Sequence, residues 1–372
     1  MKQTIVNHIK NIPGWRTNRK LVVFSVDDYG NVRIASKKAR EIIDEGVIKA
    51  GNHFDVYDNL ETRDDLEALY EVLSSVNDRN GNPAIFTPYA LSCNINFEAM
   101  KANGYSEYVY ELLPETFKKL SLKDSQAYSG AWSLWKEGIE KGLMKPQFHG
   151  REHFNLRIFN DLLQKKDKDL LKVLENESYV SIPAHKNYKH GWTAAYSFYH
   201  KSETESFLDN VKDGLKCFEE VYGYHSNTFT PPAQQFPMHL EKELSALGIK
   251  YLDSPRQIEK HLGEGQYKTL KHKLGEGKLM TKLVRNVVFE PTTNPVRDWV
   301  NFTFKQVEAA FRMKKPANIS SHRVNYCGYI DENNRKIGLA ALKQLLDKIV
   351  NRWPEVEFIS ADQLGEIISN EK

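Results

Sequence analysis

Short apolar runs alternate with helix-period segments along most of this chain, and that alternation constrains the fold more than any other feature. Strands separated by helices need crossover connections, and crossovers make neighbouring strands parallel. The pattern predicts strands over 21–26, 47–54, 84–87, 147–149, 179–182, 226–230, 249–252, 283–289, 317–321 and 356–359. It predicts helices over 34–45, 64–77, 155–175, 203–222, 237–247, 303–314 and 337–352, followed by a closing helix. In the second of these, Leu66, Leu69, Val72, Leu73 and Val76 mark one apolar face. Such a parallel sheet is either closed as a barrel or open and doubly wound.

Two stretches break the rhythm. Residues 88–145 are long for one connection and carry helical patterns near 107–120 and 131–141, so they are expected to be an insertion over one end of the scaffold. Residues 259–282 are basic and glycine-rich, with Leu-Gly-Glu-Gly at 262–265 and again at 274–277. That repeat lacks the Gly-Lys-Ser/Thr end of a phosphate-binding loop and reads as a hairpin excursion. Residues 1–20 read as an arm with a Pro13-Gly14 turn, pinned by Trp15. No shift in composition suggests a linker, so residues 1–372 are expected to form a single barrel domain.

The polar residues with chemical potential follow predicted strands: Asp27-Asp28, His149, Thr230, Asp253, Glu290 and His322. In a β/α barrel that is the C-terminal rim, where catalytic groups collect, and this distribution favours the barrel. Adjacent strand residues point to opposite faces, so Asp27 and Asp28 are suited to different tasks. One would hold a metal and the other act as a base; the plain alternative is a turn with one acid capping the next helix. His149 and His153 stand four apart, on one face if a helix has begun, where both reach one metal. Glu152 is displaced by one position from the His-Glu-x-x-His pattern, which excludes that metalloprotease reading. Asn286 and Glu290 share a face of their strand, as substrate contacts or as structural partners. Asp253, before Ser254-Pro255, reads as a turn former. His53 and His185 are alternative rim histidines. Trp132, Trp135, Trp192, Tyr196 and Trp299 are candidates for stacking on sugar rings.

In order along the chain come Asp27-Asp28-Tyr29-Gly30 after an apolar strand, His149-x-x-x-His153, Pro231-Pro232 after a strand, and His322 closing Ile319-Ser320-Ser321. With Glu45-Gly46-Val47, this set resembles the polysaccharide deacetylase superfamily, in particular the nodulation-type carbohydrate esterases and chitooligosaccharide deacetylases. The resemblance implies a deformed (β/α)7-8 barrel with insertions and a divalent metal, zinc first, on its rim. It implies Asp28, His149 and His153 as ligands, Asp27 as general base and His322 as general acid. A backbone N–H near Pro231-Pro232 would help to hold the oxyanion. The substrate implied is an N- or O-acetylated oligo- or polysaccharide. Three departures mark a divergent member. Gly150 stands where the family has Ser or Thr, and Asp253 is the counterpart of an Asp-Trp motif. Thr230 replaces the arginine that orients the base. Arg151, Arg285 or Arg323 would replace that arginine from another strand; Arg151 and Arg323, with Asn286 and Glu290, are also expected at the substrate.

Bulk properties exclude other classes. A formal charge of +3 on 372 residues gives no basic surface for nucleic acid. No run is long enough to span a bilayer, and the N-terminus lacks a signal-like apolar core, so a cytoplasmic location is the default expectation. Three scattered cysteines make neither a disulfide framework nor a thiolate metal site. Two other functions stay open at this point: a glycoside hydrolase using Asp27 and Glu290 as paired carboxylates, and a non-catalytic carbohydrate-binding barrel that keeps a metal site.

Overall fold

Eight parallel runs build the sheet: β1 (Lys20–Tyr29), β2 (Phe86–Ala90), β3 (Gln147–Phe148), β4 (Thr228–Phe229), β5 (Tyr251–Pro255), β6 (Thr281–Arg285, continued by Val287–Val288), β7 (Ala317–His322) and β8 (Val356–Phe358). The computed structural model describes residues 2–46, 52–183, 188 and 191–371. Round the sheet the order is β6-β5-β4-β3-β2-β1-β7, and the Val287–Val288 half of β6 returns to pair with β7. A bond from Asn286 N–H to the Asn318 carbonyl (3.1 Å) helps to seal this join. β8 lies beside the start of β1, pairing Lys20–Val22 with Val356–Phe358. The result is a nearly closed α/β barrel with insertions.

β1 shows why the sequence builds a barrel wall. Leu21, Val22, Val23 and Phe24 are all fully buried, as a strand covered on both faces must be. Val22, Phe24 and Val26 pack outward among the helices, with Phe86, Ala317 and Leu342. Leu21 and Val23 join Tyr89, Tyr251 and Leu283 in a separate apolar cluster, the inward face. Leu364 and Ile368 of the closing helix Ala361–Asn370 belong to the same cluster. Continuing the inward parity gives Ser25 and Asp27, so the barrel interior turns from apolar to polar toward the C-terminal rim. Ser25 Oγ bonds Asn318 Oδ1 (2.9 Å), and Asn318 Nδ2 bonds Asp253 Oδ1 (2.9 Å).

Several expected elements take other forms. The helix expected over 155–175 is two, Leu156–Gln164 and Lys168–Glu175, separated by a turn in which Lys166 has φ +50° and Asp167 caps the second helix. Residues 179–182 form no strand. Of the strand expected over 47–54, residues 47–51 lie outside the described residues, and His53–Tyr57 is a short helix capped by Asn52. The 259–282 excursion is an antiparallel hairpin, Gln257–Gly263 with Gln266–Lys271. Its turn has positive φ at Glu264 (+53°) and Gly265 (+72°), as a tight two-residue hairpin loop requires. The long connection after β2 holds a small hairpin, Cys93–Ile95 with Tyr110–Leu112, and helices including Leu113–Lys123 and Ala131–Glu140. Among the described residues, no helix is long and apolar enough to cross a membrane.

Candidate metal centre and proton-transfer pair

Strict alternation would send Asp28 to the face opposite Asp27, yet both line one cleft of about 240 Å³. The reason is a bulge. The β1–β2 register slips between Val26 and Tyr29, and Asp28 takes φ +74°. A bulge re-aims a side chain at a strand end, and aspartate tolerates the left-handed region better than most residues. Gly30 completes the turn at φ +75°; a Cβ there would lie 2.4 Å from the Leu91 carbonyl oxygen.

His149 directly follows β3. Its Nδ1–H donates to the Thr230 carbonyl (2.7 Å), which leaves the Nε2 lone pair facing Asp28 Oδ1 at 3.3 Å. His153 Nε2 lies 2.9 Å from the same oxygen. One donor atom from each residue lies within 4.8 Å of the others. The helical argument for this pair fails, however. Residues 149–155 are an irregular loop, turned by Gly150 at φ +107°, and the helix begins only at Leu156. That φ, with a Cβ position 3.2 Å from both the Glu152 carbonyl and the Tyr196 hydroxyl, explains why glycine stands there. The donor set fits a divalent cation. Burial lowers the basicity of His153 against the pull of Asp28, which favours the neutral imidazole that a metal would need. Around a tetrahedral ion with bonds of about 2.0–2.2 Å, ligand atoms stand roughly 3.3–3.6 Å apart; Asp28 Oδ1 lies 3.3 Å from His149 Nε2 and 2.9 Å from His153 Nε2.

Asp27 is gripped from across the barrel. Arg285, at the end of β6, donates from Nη1 to Oδ2 (2.7 Å) and from Nη2 to Oδ1 (2.8 Å). The same guanidinium donates to Asp253 Oδ2 (3.0 Å) and Thr230 Oγ1 (2.9 Å), and stacks over Tyr89. Arg285 therefore stands where the sequence lacked an arginine. Thr230 accepts its bond and passes one to the Asp253 carbonyl (2.9 Å). Asp253 is an ion-pair partner, not merely a turn former. Burial alone would raise the Asp27 carboxyl, but Arg285 outweighs it and holds the group below its ordinary range.

His322 ends β7 and is paired with Asp27 in the sheet register. Its Nδ1–H donates to Glu290 Oε1 (2.7 Å), while Nε2 stands 3.9 Å from Asp27 Oδ2 in the cleft. Burial would lower this imidazole; the Glu290 carboxylate overrides that and raises it to about 10. This favours the imidazolium form of His322.

The remaining expected contacts fall elsewhere. Arg151 pairs with Glu152 and Asp213 and lies over Tyr110. Asn286 bonds Asn11, the Pro316 carbonyl and the Asn318 N–H. Arg323 is enclosed between Asp58 and Glu61. None of the three lines the cleft, because burial committed each to a local partner first. Glu290 serves His322 and Asn325. His53 bonds Thr292, and His185 lies outside the described residues. Trp135, Trp192, Tyr196 and Trp299 are core residues, and Trp132 packs against the core. Instead the cleft is completed by Arg33, Asn52, Phe54, Ser181, Thr193 and Gln234. Phe54 sets its ring against His322 at 5.1 Å, and Gln234 Nε2 reaches Asp27 at 3.4 Å. Pro231-Pro232 was the only sequence signal near Gln234; Arg33 and Phe54 carried none.

No protein-family model matches the chain, and no curated protein is similar to it in sequence. Solved structures do share its architecture. A protein from Parabacteroides distasonis, described as a glycoside hydrolase/deacetylase, superposes with a TM-score of 0.50 at 8% identity, over 97% of this chain and 73% of its own. One from Mycobacterium smegmatis, described as a polysaccharide deacetylase, gives 0.45 at 12% identity over 96% and 94%. The 4-alpha-glucanotransferase of Thermococcus litoralis gives 0.44 at 9% identity over 93% of this chain, which spans only 40% of that enzyme. At such identities the likeness is one of fold. The fold is a nearly closed α/β barrel with insertions, as the alternation of strands and helices led one to expect.

Proposed function

We propose that this protein is a metal-dependent hydrolase that removes acetyl groups from N- or O-acetylated sugars or polysaccharides. One observation carries the reading: Asp28, His149 and His153 converge in a cleft that also holds Asp27, gripped by Arg285, and His322, hydrogen-bonded to Glu290. Asp28 Oδ1 and the Nε2 atoms of His149 and His153 would hold the ion, and zinc is the ion expected of two imidazoles and a carboxylate. When bound, the cation supplies Lewis-acid polarisation and makes water more acidic.

The chain's own residues do the rest. Asp27 accepts a proton from the attacking water, and Arg285 fixes both of its oxygens for that task. The same arginine lowers its basicity, which makes Asp27 a weaker base than a free carboxylate. His322 gives its Nε2 proton to the leaving nitrogen or oxygen, while Glu290 holds the ring and keeps it charged. Phe54 closes the cleft beside His322. The glycoside-hydrolase alternative needs Asp27 and Glu290 free to face one bond. Here Arg285 occupies the first, and His322 with Asn325 the second.

The test is bound metal per chain, with acetate release from acetylated chitooligosaccharides and O-acetylated glycans. Wild-type protein is expected to bind one equivalent and to lose turnover with a chelator. Asp28→Ala and His149→Ala should bind none. Stoichiometric metal in either variant, or turnover indifferent to chelation, refutes the assignment.

A further inference from the structure

The two histidines differ behind the centre. His149 Nδ1 has the Thr230 carbonyl, whereas His153 Nδ1 has no partner among the described residues although it is only 8% exposed. His153 also lines a second, smaller cavity, shared with Asn31, Tyr108, Glu152 and Tyr179. Two of these neighbours carry buried polar atoms that are likewise unpartnered, Asn31 Nδ2 and Tyr179 Oη. Asn31 and Tyr179 are 6% and 2% exposed. Each such atom costs about 1–3 kcal/mol if nothing meets it. The cavity offers about 10 Å³ to a water-sized sphere. That is room for one water and for nothing larger, and a buried water needs two to four polar partners.

We propose that one tightly held water occupies this cavity, and that through it Tyr179 and Asn31 act as positioning residues for His153. The inference rests on the metal-centre reading for its functional meaning. The water accepts from His153 Nδ1–H and from Asn31 Nδ2–H, and donates to Tyr179 Oη. With a cation on Nε2, this water gives the Nδ1–H of His153 its partner. Ligating histidines generally need such a partner, and losing it weakens metal binding roughly 10–100-fold.

The experiment compares the full-length protein with Tyr179→Phe and Asn31→Leu. A crystal structure of wild type is expected to show one ordered water within hydrogen-bond distance of His153 Nδ1, Asn31 Nδ2 and Tyr179 Oη, and one of Tyr179→Phe to lack it. Zinc titrated against a competing chelator should bind roughly 10–100-fold more weakly to each variant. A merely structural role would lower the melting temperature and leave both readouts unmoved; that result, in both variants, overturns the proposal. If wild type binds no zinc, the metal-centre reading falls instead, and the water, present or absent in a crystal of the metal-free protein, still decides this proposal.

Discussion

Arg285 and Arg323 each lie buried between two carboxylates, one at the end of β6 and the other just after β7. Their settings differ. Arg285 faces the polar upper layer of the barrel and holds Asp27 below the ordinary carboxylate range. Arg323 sits outside that layer, against Asp58 and Glu61; there burial outweighs the arginine and pushes Asp58 up to about 6. Glu61 in turn accepts from Trp135 Nε1 (2.8 Å) and the Gly30 N–H (3.3 Å). Arg323 thus braces the turn that carries Asp28, while Arg285 tunes a group that faces the cleft. The same side chain does structural or chemical work according to which face of the wall it reaches.

That contrast can be broken at several points. The largest effect should come from Asp27→Asn, which keeps shape but removes the base; kcat should fall by about 10²–10⁴. A loss under tenfold in acetate release would reduce Asp27 to a spectator. Next are Arg285→Met and Arg323→Met. Each leaves buried carboxylates unpaired and should cost about 3–5 kcal/mol in denaturant unfolding. Only Arg285→Met should move the acid limb of the pH–rate profile to higher pH, because burial then raises Asp27 against only the weaker pull of His149 and His322. An equal shift in both variants erases the distinction.

Smaller is the effect of Glu290→Gln. It removes the largest of the charges that raise His322 to about 10; burial, opposed then only by Asp28 and Asp27, lowers the ring toward its ordinary value. The sign follows from a raised folded value: the stabilising charge of His322 is fully present below about pH 6.5 and is lost as pH rises through about 10. In Glu290→Gln that loss comes earlier. With an ordinary pKa of about 6.5, turnover at pH 8 should drop roughly 30-fold. Imidazole titration in the metal-free variant reads the shift directly, and an unmoved His322 would detach Glu290 from it. Smallest is Thr230→Val, which deletes one neutral acceptor of Arg285 and should cost about 1 kcal/mol. A catalytic collapse there would mean that Thr230 itself meets substrate.

Much of this was legible in residue order. Leu21 to Phe24, buried on both faces, announces a parallel strand, and the spacing of Asp27-Asp28, His149, His153 and His322 announces a rim. Local conformation was less legible. The His149–His153 pair looked helical because i and i+4 meet on a helix, yet a loop turned by Gly150 brings them together. Asn286 and Arg323 looked like rim contacts because they flank strands, and both turned into the wall.

The sequence by itself determined which residue types arrive after which strands, hence a β/α barrel and the identity of the candidate ligands. Periodicity and strand ends are local properties, set by backbone sterics and apolar spacing. Tertiary structure alone decided which arginine meets Asp27, that Glu290 serves His322, and that a bulge turns Asp28 into the same cleft as Asp27. Those pairings join residues as many as 258 positions apart, from Asp27 to Arg285. They depend on barrel closure and on the desolvation of charges that must find a partner inside, and no local pattern records either.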